Sequence, residues 1–402
     1  MINKIISILL MFSILLSMSG CWSKKEINNL GIVGSVIYDI DASDMLDITV
    51  DVLNYGGNSG GSMGSEVSSA ENSFSTFSGS GENVSEALTN LTKNYEKSVY
   101  LPFVKARFFT DTMAAKGIKE TVDYLLYDRD IRENAYIGII KCKNADKVYS
   151  AAAQLSTTLG GYIEGLHEIR KDSDGASVFI EMLEFTKAIN SDERDAVAGV
   201  LEVLEKKTEV KSSDSEKSEE QEYSLLYNGA AVFRKDIFVG YLDTKETQGY
   251  NFVTGDIKNC IVTLTSGELN RPYSIQILST SCDINVSYEN GQAVIDLALS
   301  NDVMLLEGKS FDSSSHSAKQ IASALNKNIR DMVEGSIKKV QNVYNSDIYG
   351  FGERLHHQHP EIWKEIKDNW RNIYKNAKIN LTSELKIKRL GETLNPFKNS
   401  SD

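Results

Sequence analysis

Several groups of residues in this 402-residue chain have types and spacings that could do chemistry. Gly57-Asn58-Ser59-Gly60-Gly61 matches the Gly-x-Ser-x-Gly pattern of a serine nucleophile. Such an elbow needs a sharp strand-to-helix turn, with a His and an acid elsewhere. Here more Gly and Ser come next, so a loop explains the match better than a hydrolase does. Glu353, His356, His357 and His359 are metal-ligand types. His356 and His359 could share a helical face with Glu353, because residues three apart are neighbours on a helix. Zinc needs about four ligands in a tetrahedron, and no Cys lies nearby in sequence. A polar surface connecting two helices is the better reading. Asp39, Asp41, Asp44 and Asp47 put hard oxygen ligands around a turn, but the Asp-x-Asp-x-Asp-Gly calcium pattern is absent. These groups lead us to expect no catalytic residue, no metal and no cofactor.

The cysteines carry a different chemistry. Lys4 precedes an apolar run, Ile5 to Met18, that ends in Ser19-Gly20-Cys21. The run is shorter than the ~20 residues that span a bilayer, and its flanks are those of a secretory signal. Ser-Gly-Cys looks like a lipobox, with Met18 standing where Leu is usual. On that reading residues 1–20 are removed, and the Cys21 thiol receives a diacylglyceryl group. Two acyl chains anchor a protein stably where one does so only marginally. Cys142, Cys260 and Cys282 remain. Cys260 and Cys282 sit on neighbouring predicted strands and could pair, but buried, unpaired thiols are the preferred reading. The net charge is −13, and loss of Lys4 makes it −14. Such a chain is a poor nucleic-acid binder and has no electrostatic pull toward anionic lipid, which leaves the acyl group as the anchor.

Periodicity and composition give the scaffold for these residues. Strands are expected over Ile32–Ile40, Met45–Leu53, Ser73–Ser78, Val99–Thr110 and Ala135–Cys142. Residues 54–70, rich in Gly and Ser, read as a long loop. Helices are expected over Asn83–Lys97, Asp111–Lys116, Ile118–Tyr127, Ala145–Ala153, Ser156–Arg170 and Val178–Ile189. Further on, strands are expected at Tyr227–Phe233, Ile237–Leu242, Cys260–Leu264, Tyr273–Thr280, Asp283–Tyr288 and Ala293–Leu299. A long amphipathic helix, Ser314–Tyr344, then carries an apolar stripe from Ile321 to Tyr344. A second amphipathic helix covers Glu361–Tyr374, and a last strand alternates from Ile379 to Ile387.

This order gives an α+β, multi-domain chain of about three domains, with mainly antiparallel sheets flanked by helices. We divide it into a signal peptide (1–20), N-terminal α+β domain(s) (21–204), an acidic linker (205–222) and a C-terminal α+β domain (223–395). Trp22 follows the lipidation site, where it would sit at headgroup level or pack on the N-terminal domain, and it is a candidate interface residue. Trp363 and Trp370 lie seven apart on one helix. Core packing is the simpler reading of that pair, and an interface anchor is the alternative, since Trp dominates many hot spots.

The landmarks in this order resemble one family, the Ger(x)C spore germination lipoproteins. Gly20-Cys21-Trp22, Lys25-Glu-Ile-Asn-Asn-Leu30 and the strand ending in Asp39 resemble its opening. Asp128-Arg-Asp-Ile-Arg132, Gly229-Ala-Ala-Val-Phe233, Gly240-Tyr-Leu242 and Glu246-Thr-Gln-Gly249 resemble its middle. Asp347-Ile-Tyr-Gly-Phe-Gly-Glu353, Pro360, Trp363 and Trp370 resemble its end. Ser23 and His356-His-Gln-His359 depart from the pattern. The resemblance implies a three-domain lipoprotein, not an enzyme, on the outer face of the spore inner membrane. It would be the C subunit of a nutrient germinant receptor, beside integral-membrane A-type and B-type subunits. The alternative, a solute-binding lipoprotein of a transporter, would need two lobes with parallel sheets.

Overall fold

The computed structural model describes Ile5, Ile6 and residues 29–54, 73–93, 95–128, 131–142, 145–155, 157–170, 175–210, 218–264, 272–307 and 316–390. Cys21, Trp22 and the Gly57–Gly61 motif lie outside the described residues.

The first half runs β1 (Leu30–Ile40), β2 (Leu46–Leu53), β3 (Phe74–Gly81), α1 (Val84–Thr92), β4 (Ser98–Tyr100), β5 (Ala106–Thr110), α2 (Asp111–Lys116), α3 (Lys119–Tyr127), β6 (Tyr136–Lys141), α4 (Ala145–Gln154), α5 (Leu159–Arg170), β7 (Ile180–Glu181), α6 (Met182–Asn190), β8 (Val197–Val210), β9 (Ser218–Arg234) and β10 (Ile237–Leu242). The second half runs α7 (Thr244–Thr254), β11 (Lys258–Leu264), β12 (Tyr273–Glu289), β13 (Gln292–Glu307), α8 (His316–Lys338), α9 (Phe351–Gln358), α10 (Pro360–Ile366), α11 (Trp370–Lys375) and β14 (Lys378–Leu390).

The large sheet has the order β10-β9-β8-β6-β5-β1-β2-β3. Its outer pairs are antiparallel, but β1, β5, β6 and β8 pair in parallel. The antiparallel expectation fails at this centre. Parallel neighbours need a crossover of a dozen or more residues. Helices α2 and α3 supply one such crossover between β5 and β6, and α4 to α6 supply another between β6 and β8. Every residue of β5 is buried, as befits a strand covered on both faces. Leu91, Val122 and Phe185, from α1, α3 and α6, pack on one face. Val148 and Ile163, from α4 and α5, pack on the other.

The second sheet has the order β11-β12-β13-β14. Its first two pairs are antiparallel, and β14 is parallel to β13 because the α8–α11 segment carries the chain back to its starting end. The stripe Ile321, Leu325, Ile329, Val333 and Ile337 of α8 joins Ile277, Ile295 and Leu297 in one core. Both sheets are flanked by helices, and the fold is α+β.

Three local expectations change. Residues 205–222 hold, in their described parts, the outer ends of β8 and β9, paired from Glu205↔Tyr223 to Val210↔Ser218. The ladder begins in the buried Val197–Leu201 stretch and simply continues outward, which a polar composition does not reveal. Strands β9 and β10 therefore belong to the first sheet although they come after that segment. The expected strand Val99–Thr110 is broken by a 3-10 turn, Leu101–Phe103, with Pro102 at its start. Pro lacks the N–H that a ladder requires. The expected helix Glu361–Tyr374 is split by a 3-10 turn at Lys367–Asn369.

One buried acid in the first half gives a test. Asp51 on β2 is fully buried. Its carboxylate accepts from the Ser35 amide (2.5 Å) and the Leu159 amide (2.8 Å). Burial pushes its pKa up to about 6, against those hydrogen bonds. Between the ordinary value near 4 and this raised value, the folded state keeps a proton that the unfolded chain releases. The stabilising effect of protonation is thus complete below about pH 4 and fades as pH rises to about 6. Asp51→Asn removes this titration. The unfolding free energy of the parent relative to the variant should fall from pH 4 to pH 6 and level off above, with a span of roughly 2–3 kcal/mol. A difference that stays constant or grows with pH would contradict this assignment.

Candidate functional site

The two halves meet where α8 ends. That helix passes through a π-helical stretch, Lys339–Tyr344, and stops at Asn345, whose φ of 48° is left-handed. The chain then turns inward. Ser346 and Asp347 are buried, and the Ser346 hydroxyl donates to the Phe233 carbonyl of β9 at 2.7 Å.

Asp347 organises the start of α9. Its carboxylate accepts from the amides of Phe351 (3.1 Å) and Gly352 (2.8 Å), the first residues of that helix. It also accepts from the Trp370 indole N–H at 3.0 Å. One acid thus caps a helix, where anions are favoured, and fixes a tryptophan from another helix. Burial raises its pKa to about 6, although these donors favour the charged form.

The facing loop, Ser191–Asp195, leads from α6 into β8. Asp195 is 5 % exposed. It is bonded to Asp347 in both directions: the Asp195 amide donates to the Asp347 carbonyl at 2.9 Å, and the Asp347 amide donates to Asp195 Oδ2 at 3.0 Å. The Lys235 amide donates to Asp195 Oδ1 at 3.0 Å. Arg371 of α11 pairs with both carboxylate oxygens, at 3.3 and 3.4 Å, and donates to the Asn345 carbonyl at 3.0 Å. A cavity of about 280 Å³ opens beside this cluster, walled by Asp192, Lys235, Lys367 and Tyr374 among others. The site has buried acids held by fixed donors. Its chemistry suits locking two halves together.

The structure sorts the residues singled out by sequence. Trp363 and Trp370 are buried, 3 % and 4 % exposed, with ring centroids 5.6 Å apart. Both rings pack inside the chain. The segment expected as a polar connector is in fact α9. There His356 Nδ1 lies 2.8 Å from Glu193 Oε1, and its ring stacks on Trp363 at 5.8 Å. Glu353 pairs with Arg194 at 3.7 Å. Among the described residues no three His, Cys, Asp or Glu side chains group to hold a metal. The aspartates of the first turn are each engaged separately. Asp41 accepts from the amides of Ser43 and Met45, Asp39 from the Thr110 hydroxyl, Asp44 pairs with Lys116, and Asp47 accepts from the Ser80 hydroxyl. Cys282 is a free thiol, so it is not paired with Cys260.

Sequence reasoning does not reach Asp195, Arg371 or helix α7. A signal for α7 is present: Asp243 and Glu246 form a capping box, with amide-to-carboxylate distances of 2.9 and 2.8 Å. Asp-x-x-Glu before a helix is its signature. Glu246 also binds Lys339 at 2.6 Å. A Cβ on Gly249 would lie 2.1 Å from the Met332 carbonyl of α8, so this glycine lets the two helices touch. The Glu246-Thr-Gln-Gly249 motif is thus a helix cap and a helix crossing.

The fold and this junction define a protein of two sheet-and-helix halves joined by buried acids. Residues 23–203 match the family model described as "Spore germination protein N-terminal domain", and residues 228–391 match "Spore germination B3/ GerAC like, C-terminal". The chain belongs to this Ger(x)C family of spore germination proteins. It is 21 % identical to "Spore germination protein KC" of Bacillus subtilis (strain 168), over 99 % of this chain and 98 % of that one. It is 20 % identical to "Spore germination protein B3" of the same organism, over 95 % and 96 %. The crystal structure of the GerBC protein shares the fold, with a TM-score of 0.51 at 17 % identity, covering 88 % of this chain and 97 % of that chain. No helix among the described residues is long and apolar enough to cross a membrane.

Proposed function

We propose that the protein is the lipid-anchored C subunit of a nutrient germinant receptor. It supports receptor assembly or signal transmission beside integral-membrane A-type and B-type subunits, on the outer face of the spore inner membrane, and is not an enzyme. The observation that carries this reading is family membership along both halves of the chain. The lipobox-like Ser19-Gly20-Cys21 supports the anchor, and the buried acids at the junction support a body whose two halves are packed together. The division into an N-terminal part, the 205–222 segment and a C-terminal part is kept with one refinement: β9 and β10 pack with the N-terminal sheet.

The anchor is tested at Cys21. Cys21→Ala should abolish metabolic labelling by fatty acid and either release the protein or leave an unprocessed precursor. Persistent acylation of the variant would sink the proposal.

A further inference from the structure

Strand β1 is where the described chain enters the first half, and its first residues pair in parallel with β4, Leu30↔Ser98 to Ile32↔Tyr100. The Leu101–Phe103 turn comes directly after β4. Phe103 is 45 % exposed. The Arg132 guanidinium lies over its ring, 5.6 Å from the centroid, and the Tyr100 ring is 5.8 Å away. The Lys105 amide donates to the Gly34 carbonyl and the Tyr136 amide to the Lys105 carbonyl, both at 2.8 Å. The entry of β1, the aromatic turn and the Arg132 segment before β6 therefore share one end of the sheet.

Cys21 lies nine residues before Leu30. An extended tether of that length spans about 30 Å at most. A compact chain of 402 residues is about 55 Å across. A lipid on Cys21 cannot reach around the molecule, so the entry of β1 stays within about 30 Å of the bilayer, in the membrane-side half of the molecule. Its chemistry fits: aromatic rings and an arginine with an apolar stem suit the boundary between headgroups and acyl chains. The net negative charge of the whole chain keeps the remaining surface off anionic lipid.

We propose that the Leu101–Phe103 turn, with Arg132, is the surface by which the anchored protein rests on the membrane. The inference rests on acylation of Cys21. The full acylated chain is placed in vesicles of phosphatidylcholine and phosphatidylglycerol, with photoreactive benzoylphenylalanine at position 103. The control carries it at Ile261, which is 57 % exposed on β11 of the second sheet. Lipid adducts should form several-fold more at 103 than at 261. Equal yields, or more at 261, would overturn the inference. Mass measurement of the N-terminal peptide in the same samples separates the two readings. Acylated Cys21 without an excess at 103 defeats the membrane face alone, whereas unmodified Cys21 defeats the anchor and this face with it.

Discussion

Asp347→Ala should lower the stability of the chain by about 2–4 kcal/mol at neutral pH. The substitution leaves three buried donors without an acceptor, the Phe351 and Gly352 amides and the Trp370 indole. Each orphaned donor costs roughly 1–3 kcal/mol. Part of that is offset, because a buried carboxylate whose pKa is pushed up to about 6 is itself costly when ionised. Three lost bonds outweigh one relieved charge. Chemical unfolding of parent and variant at pH 7 measures the difference. A variant within about 0.5 kcal/mol of the parent, the range of ordinary surface changes, would show that Asp347 does not hold the junction.

Gly352→Val should cost about 3 kcal/mol or more, at or above the upper end of overpacking effects. The left-handed residue of this turn is Gly350, with φ 70°. Gly352 is needed for space: a Cβ there would lie 2.5 Å from the Glu193 carbonyl, 2.7 Å from Trp370 Nε1 and 3.0 Å from the Trp363 ring. Backbone on one side and two packed indoles on the other leave no room to move. Valine must therefore push α9 away from the Ser191–Asp195 loop. Gly352→Ala should already show a large part of the loss in thermal unfolding. An alanine variant melting with the parent would mean that the two halves do not touch here.

Elements with their own periodicity were legible in the sequence. The stripe of α8 lies in the core as expected, and Pro360 begins α10. The alternating strand near the end is β14. What was not legible depends on partners distant in sequence. The parallel centre of the large sheet arises from crossover packing, and β5 is too short to declare its direction. The β8–β9 ladder extends into a polar stretch because its inner rungs are buried. Asp195 and Arg371 meet only when residues 176 apart in sequence come together. The family motif around Asp347 was visible, but its meaning was not. It encodes one acid capping a helix and holding Trp370, with a glycine that lets the other half approach.

The central claim, a non-catalytic subunit working within a membrane receptor, is tested most directly by co-purification. The tagged protein is drawn from detergent-solubilised spore membranes, and its stable companions are identified by mass spectrometry. Two integral-membrane subunits, one A-type and one B-type, should be recovered with it in fixed proportion. Recovery of the protein alone, or with the permease components of a solute transporter instead, would contradict the claim.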